Sequence, residues 1–134
     1  MRVVFFEYLA DNINLNNQGT LKAAIKQIVL PSKGKDISLF LSKNDKVAQK
    51  IAEEFKHVTN KVKKFEITTD LESNPNFQEI FQKGNTLIVT IFPDDCTFCN
   101  FLKEKVDPAK KIECVFGQIG SIKIISLKKS SLTN

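Results

Sequence analysis

The sequence predicts a three-layer α/β fold with a mostly parallel sheet, because strand patterns and helix patterns alternate along most of the chain. The chain has 134 residues, of which 42% are hydrophobic and 26% are charged. This length and composition fit one globular domain and leave little room for two. We therefore expect a single Rossmann-like domain over residues 1–127, ending in a C-terminal pair of strands, and a polar tail over residues 128–134.

Six stretches have the β-branched, aromatic or alternating character of strands. Residues 86–92 are almost continuously apolar, which predicts burial on both faces at the centre of a parallel sheet. Residues 117–120 contain two glycines and are predicted to form the hairpin loop between the last two strands. The alternating stretch over residues 122–127 is a candidate exposed edge that pairs with a partner. The predicted strands are residues 2–9, 36–41, 64–69, 86–92, 111–116 and 121–127.

Four stretches have the spacing of amphipathic helices. In the first, apolar residues recur from Leu21 to Val29, Thr20 is a candidate N-cap, and residues 31–34 end the helix. A second apolar stripe begins at Val47 and reaches Phe55. The sequence Asn74-Pro75 opens a third, short helix, and residues 97–106 predict a fourth. In α/β folds where helices connect parallel strands, ligands bind beyond the carboxyl ends of the strands.

The charge balance favours a soluble, lysine-rich surface and leaves nucleic-acid binding open. The formal net charge is +5 and the isoelectric point is about 9.1. Arg2 is the sole arginine, which disfavours sequence-specific DNA reading, since arginine makes the bidentate contacts to bases. A lysine-rich accessory subunit associated with nucleic acid remains an alternative function.

The cysteines offer a second alternative, a thiol-disulfide or thiol-sensing protein. Cys96 and Cys99 form a Cys-x-x-Cys motif that follows a predicted strand and opens a predicted helix, where the helix N-terminus lowers a thiol pKa. The neighbouring Asp94 and Asp95 would act against this by raising it. No zinc site is expected, because Cys114 and the lone His57 do not supply a second close-spaced ligand pair.

Polar residues at the predicted strand ends are the remaining candidates for a site. Asp94 and Asp95 follow the fourth strand, and Asn44 and Asp45 follow the second. Capping of the helices that come next explains these residues equally well. No glycine-rich phosphate loop and no set of catalytic side chains is present, so an enzyme is not favoured.

The first half of the chain resembles the amino-terminal domain of the electron transfer flavoprotein alpha subunit. The similarity covers roughly residues 3–70, about half of the 134 residues. Glu7-Tyr8 matches a Glu-His step at the end of the family's first strand. Thr20-Leu21 with Ala24-Ile25 matches the start of its first helix, and Val47-Ala48 matches a step in its second. The strand at residues 36–41 and the stretch at residues 62–65, which matches a Lys-Val strand of the family, have comparable spacing.

The resemblance implies a non-catalytic interaction or scaffold domain that docks a partner subunit. The partner would be a flavoprotein beta-like subunit or a second copy of the chain. The family's flavin lies mainly on a second domain, for which this chain has no motif, so no cofactor is expected. Residues 92–97 replace a glycine-rich turn of the family, which puts any contact made there in doubt. With no secretory signal and three cysteines, an intracellular location is expected: the cytoplasm, or an organelle matrix if a targeting segment was removed.

Overall fold

The fold is α/β, with a six-stranded mixed sheet and helices on both of its faces. The computed structural model describes residues 2–9, 18–32, 34–67, 74–83, 86–93, 114–119 and 122–128. The elements in these ranges are β1 (Arg2–Tyr8), α1 (Gln18–Val29), a 3-10 turn (Leu30–Ser32), β2 (Ile37–Ser42), α2 (Lys46–Val58), β3 (Val62–Ile67), α3 (Pro75–Lys83), β4 (Leu87–Pro93), β5 (Cys114–Ile119) and β6 (Ile122–Lys128).

The strand order is β3-β2-β4-β1-β6-β5. The first four of these strands run parallel, as predicted. The C-terminal pair extends the same sheet, with β6 antiparallel to β1 and β5 antiparallel to β6. Strand β4 lies between β2 and β1 and is buried from Leu87 to Phe92, which confirms its predicted central position.

The first face of the sheet is covered by α1 and α2. Alternate residues of the central strands, such as Phe6 and Val89, join Ile25 and Ile51 in one apolar cluster. Phe55 is fully buried there and makes an edge-to-face contact with Phe6, their ring centroids 6.3 Å apart. Burial of large aromatic side chains on this scale makes the α2 stripe a principal source of stability.

The second face is covered in part by α3. The intervening residues of the same strands, including Phe5, Phe40 and Ile88, form a second apolar cluster with Phe77 of α3. Asn74 is the N-cap of α3, since its Oδ1 accepts from the amides of Asn76 at 2.9 Å and Phe77 at 3.2 Å. The two clusters on opposite faces establish the three-layer arrangement.

Three local predictions are wrong. Thr20 is not the N-cap of α1, because the helix already begins at Gln18. Gly117 to Ile119 are not a loop: they continue β5, because the register with β6 pairs Gly117 with Ile124 and Ile119 with Ile122. Backbone pairing here overrides the turn preference of glycine. Finally, β6 is not an exposed edge, since it lies between β1 and β5.

The fourth predicted helix, over residues 97–106, lies outside the described residues. Within the described ranges, no helix is long and apolar enough to cross a membrane.

The importance of the α2 stripe can be tested with Phe55→Ala. We expect this variant to lower the free energy of unfolding by about 3–5 kcal/mol, since it leaves a cavity beneath Phe6. Urea denaturation followed by circular dichroism gives the measurement. Leu30→Ala is the control, because Leu30 is 69% exposed, and its cost should stay within about 0.5 kcal/mol. Equal costs for the two variants would contradict the assigned core.

Candidate functional site

The sheet has a topological switch point between β1 and β4. The chain leaving β1 leads past β4 to β2, whereas the chain leaving β4 leads past β1 toward β5 and β6. Strands whose connections depart in opposite directions leave a crevice between their carboxyl ends, and α/β proteins commonly place ligands there. Tyr8 and Pro93 are register partners at this point.

Tyr8 connects this point to the loop after β2. Its hydroxyl donates a hydrogen bond to Oδ2 of Asp45, although the ring itself is fully buried in the first-face cluster. The two residues are 37 positions apart in sequence. The contact therefore fixes the end of β1 relative to the start of α2.

Asp45 is at the same time the N-cap of α2. Its Oδ1 accepts from the backbone amides of Val47 and Ala48, both at 3.0 Å. Its own carbonyl accepts the first helical hydrogen bond, from Gln49 at 3.0 Å. Both carboxylate oxygens are thus engaged, and a negative charge at a helix N-terminus is stabilised by the helix dipole. The arrangement gives Asp45 a structural role, which is the helix-capping alternative of the sequence analysis.

Asn44 shapes the turn that presents Asp45. Its φ is 64°, in the left-handed region, where asparagine is tolerated better than most residues. The preceding Lys43 amide donates to the carbonyl of Ile67 at 2.9 Å, which ties the end of β2 to the end of β3. Asn44 itself is exposed. Its role is conformational.

Glu7 is buried, with 3% of its surface exposed, but it does not join Tyr8 in one site. Adjacent residues of a strand point to opposite faces, so Glu7 lies on the second face while Tyr8 lies on the first. Glu7 is directly opposite Lys123 of β6 in the antiparallel register. The side chains of Glu7 and Tyr8 therefore cannot act together, because they lie on opposite faces of the sheet.

The other predicted site residues, Asp94, Asp95, Cys96 and Cys99, lie outside the described residues. A thiol-based activity therefore stays a prediction. Among the described residues, no group of three or more His, Cys, Asp and Glu side chains comes together in a way that could hold a metal ion.

The two edges of the sheet differ sharply in character. β3 at one edge contains three charged residues among six, Lys63, Lys64 and Glu66. On β5 at the other edge, no charged residue occurs from Cys114 to Ile119. Phe116 of β5 is 70% exposed. Charges are a common protection of edge strands against pairing with another chain, and β5 lacks them.

Sequence reasoning missed the exposed aromatic side chain on β5. It placed Phe116 at the end of a strand without assigning it a face or an edge. The one available signal was the absence of charge over residues 114–119. Strand order decides which strand is an edge, and local patterns do not encode it.

Comparisons with protein-family models, with curated proteins and with solved structures found no match to this chain.

The double role of Asp45 predicts energetic coupling with Tyr8. Asp45→Ala removes the cap and leaves the Tyr8 hydroxyl without this acceptor, so we expect a loss of about 2–4 kcal/mol of unfolding free energy. Tyr8→Phe should cost about 1 kcal/mol. In the double variant the costs should be less than additive by about 1 kcal/mol, measured in a double-mutant cycle by urea denaturation. Strict additivity would contradict the contact.

The left-handed backbone of Asn44 predicts an unusual response to substitution. Asn44→Gly should leave the free energy of unfolding within about 0.5 kcal/mol of the original, because glycine adopts this φ without steric cost. Asn44→Ala should lower it by about 1 kcal/mol. Thermal denaturation of both variants under the same conditions gives the comparison. A glycine variant less stable than the alanine variant would contradict the turn geometry.

Proposed function

We propose that the protein is a non-catalytic interaction domain that docks another chain along the edge of β5. The observation that carries this proposal is the uncharged edge strand with the exposed Phe116. Strand addition at such an edge gains main-chain hydrogen bonds for affinity, and the side chains supply specificity. This function agrees with the docking role that the electron transfer flavoprotein resemblance implies, and the resemblance stays a prediction.

The partner we propose is a second copy of the chain. A strand pairs with its own copy in antiparallel orientation about a twofold axis perpendicular to the sheet, which gives a closed dimer. With no charge on β5, the two edges meet without like-charge repulsion between residues directly opposite each other. β3 at the other edge carries Lys63, Lys64 and Glu66, and such charges protect an edge strand against pairing.

The twofold axis restricts the register of this pairing. It keeps the second face of both sheets on the same side, so residues directly opposite must share a face. Phe116 is the register partner of Ile125, which belongs to the second-face cluster. The register that buries the most apolar surface places Phe116 opposite its own copy, as an aromatic cross-strand pair. A continuous sheet of twelve strands would result.

Oligomeric state tests this proposal directly. We expect light scattering coupled to size exclusion to show a dimer that dissociates on dilution, and Phe116→Lys to shift the chain to a monomer. Leu30→Lys is the matched control, because Leu30 and Phe116 are almost equally exposed, at 69% and 70%. It makes the same change of charge and should leave the dimer intact.

A chain that is monomeric at all concentrations would overturn the pairing with a second copy. Dimer loss in the Leu30 variant as well would show that added charge, rather than the β5 edge, controls assembly. Amide hydrogen exchange supplies the backbone readout: β5 amides should gain protection as the protein concentration rises, while β3 amides should not.

A further inference from the structure

A groove on the second face of the sheet lies far from both the switch point and the β5 edge. It has a volume of about 460 Å³ and lies between the first residues of β2 and β3 and the last turn of α3. This volume falls within the usual range of small-molecule sites. Its lining includes Asp36, Ser38, Lys61, Lys63, Phe65, Ile80 and Lys83.

The floor of the groove contains a buried polar group. Ser38 is a register partner of Lys63, so both side chains lie on the second face. Ser38 is only 5% exposed and lines the groove. Its hydroxyl can donate a hydrogen bond to a ligand in the groove or accept one from it.

The charge of the lining is positive. Lys61, Lys63 and Lys83 contribute three cations against the single carboxylate of Asp36. Lys83 pairs with Glu79 at 3.0 Å on the surface, and Lys61 donates to the carbonyl of Gly34 at 3.1 Å. Lys63 has neither an ion pair nor a hydrogen bond to another described residue. Because Glu79 offsets Lys83, the lysines exceed the carboxylates by one positive charge, which favours an anion such as a phosphate monoester.

The groove also offers a flat apolar wall. Phe65 stacks on Phe40 with ring centroids 5.0 Å apart and an interplanar angle of 15°, so one side of the ring is covered and its position is fixed. Phe65 remains half-buried and lines the groove together with Ile80. A fixed aromatic ring next to lysines is a surface on which a planar group can stack.

We propose that this groove binds a small aromatic phosphate, with its ring against Phe65 and Ile80 and its phosphate held by Lys63, Lys83 and the Ser38 hydroxyl. Selective binding requires both the aromatic ring and the phosphate of the ligand. The apolar wall alone would favour any hydrophobic molecule, and the lysines alone would bind any anion weakly. The inference is independent of the proposed dimer.

The probe that tests this site is phenyl phosphate, followed by two-dimensional amide NMR of the full chain. We expect saturable shifts at Ser38, Lys63 and Phe65. Inorganic phosphate and phenol, which each supply one half of the ligand, should bind at least about tenfold more weakly, since each lacks one set of contacts. Equal affinity for inorganic phosphate would overturn the aromatic part of the proposal.

Two variants locate the site. Lys63→Gln should weaken binding of phenyl phosphate about tenfold, and Ser38→Ala should weaken it severalfold with the amide spectrum otherwise preserved. Lys50→Gln is the matched control: Lys50 is exposed on α2, on the first face, and its loss changes the net charge by the same amount. It should alter affinity less than twofold.

Two results would overturn the proposal: absence of saturable shifts in the groove with phenyl phosphate, or an equal loss of affinity in the Lys50 and Lys63 variants. The second result would mean that the anion responds only to the overall positive charge of the chain.

Discussion

The parallel pairing of β1 with β4 is the constraint on which the rest of the structure depends. Both strands are buried on both faces, so each must supply apolar side chains in two directions. A shift of one residue would exchange every side chain between the two clusters. The register is thereby fixed from Arg2 opposite Leu87 to Tyr8 opposite Pro93. It also places the carboxyl end of β1 next to that of β4, where the Tyr8 hydroxyl reaches Asp45.

The Tyr8–Asp45 contact shows how a strand-end carboxylate can be structural in a position where ligands are common. One carboxylate oxygen of Asp45 caps α2, and the other accepts a hydrogen bond from the hydroxyl of Tyr8, whose ring is buried in the core. Oδ1 accepts two hydrogen bonds and Oδ2 accepts one, which leaves Asp45 little capacity to bind a substrate or a metal. For this reason the two surfaces that we propose lie elsewhere, at an edge strand and in a groove on the opposite face.

Much of the fold could be predicted from local patterns, because those patterns report burial. The continuous apolar run of β4 requires two buried faces, and the stripe from Val47 to Phe55 requires one. Long-range features could not be predicted in the same way. The strand order made β5 an edge and β6 an interior strand, and it extended pairing through Gly117. The groove lined by Ser38 and Ile80 likewise depends on how α3 lies against the sheet, which no local pattern encodes.

The two proposed surfaces can be occupied at the same time, because the sheet separates them. Neighbouring strands lie about 4.8 Å apart, so the five steps from β3 to β5 amount to about 24 Å. Pairing at β5 would leave the groove beside β3 open, and a dimer would carry its two grooves near the outer ends of a twelve-stranded sheet. A ligand in the groove touches no residue of β5. Its binding should therefore be unchanged in Phe116→Lys, so loss of the dimer and loss of the ligand site can be told apart in the same protein.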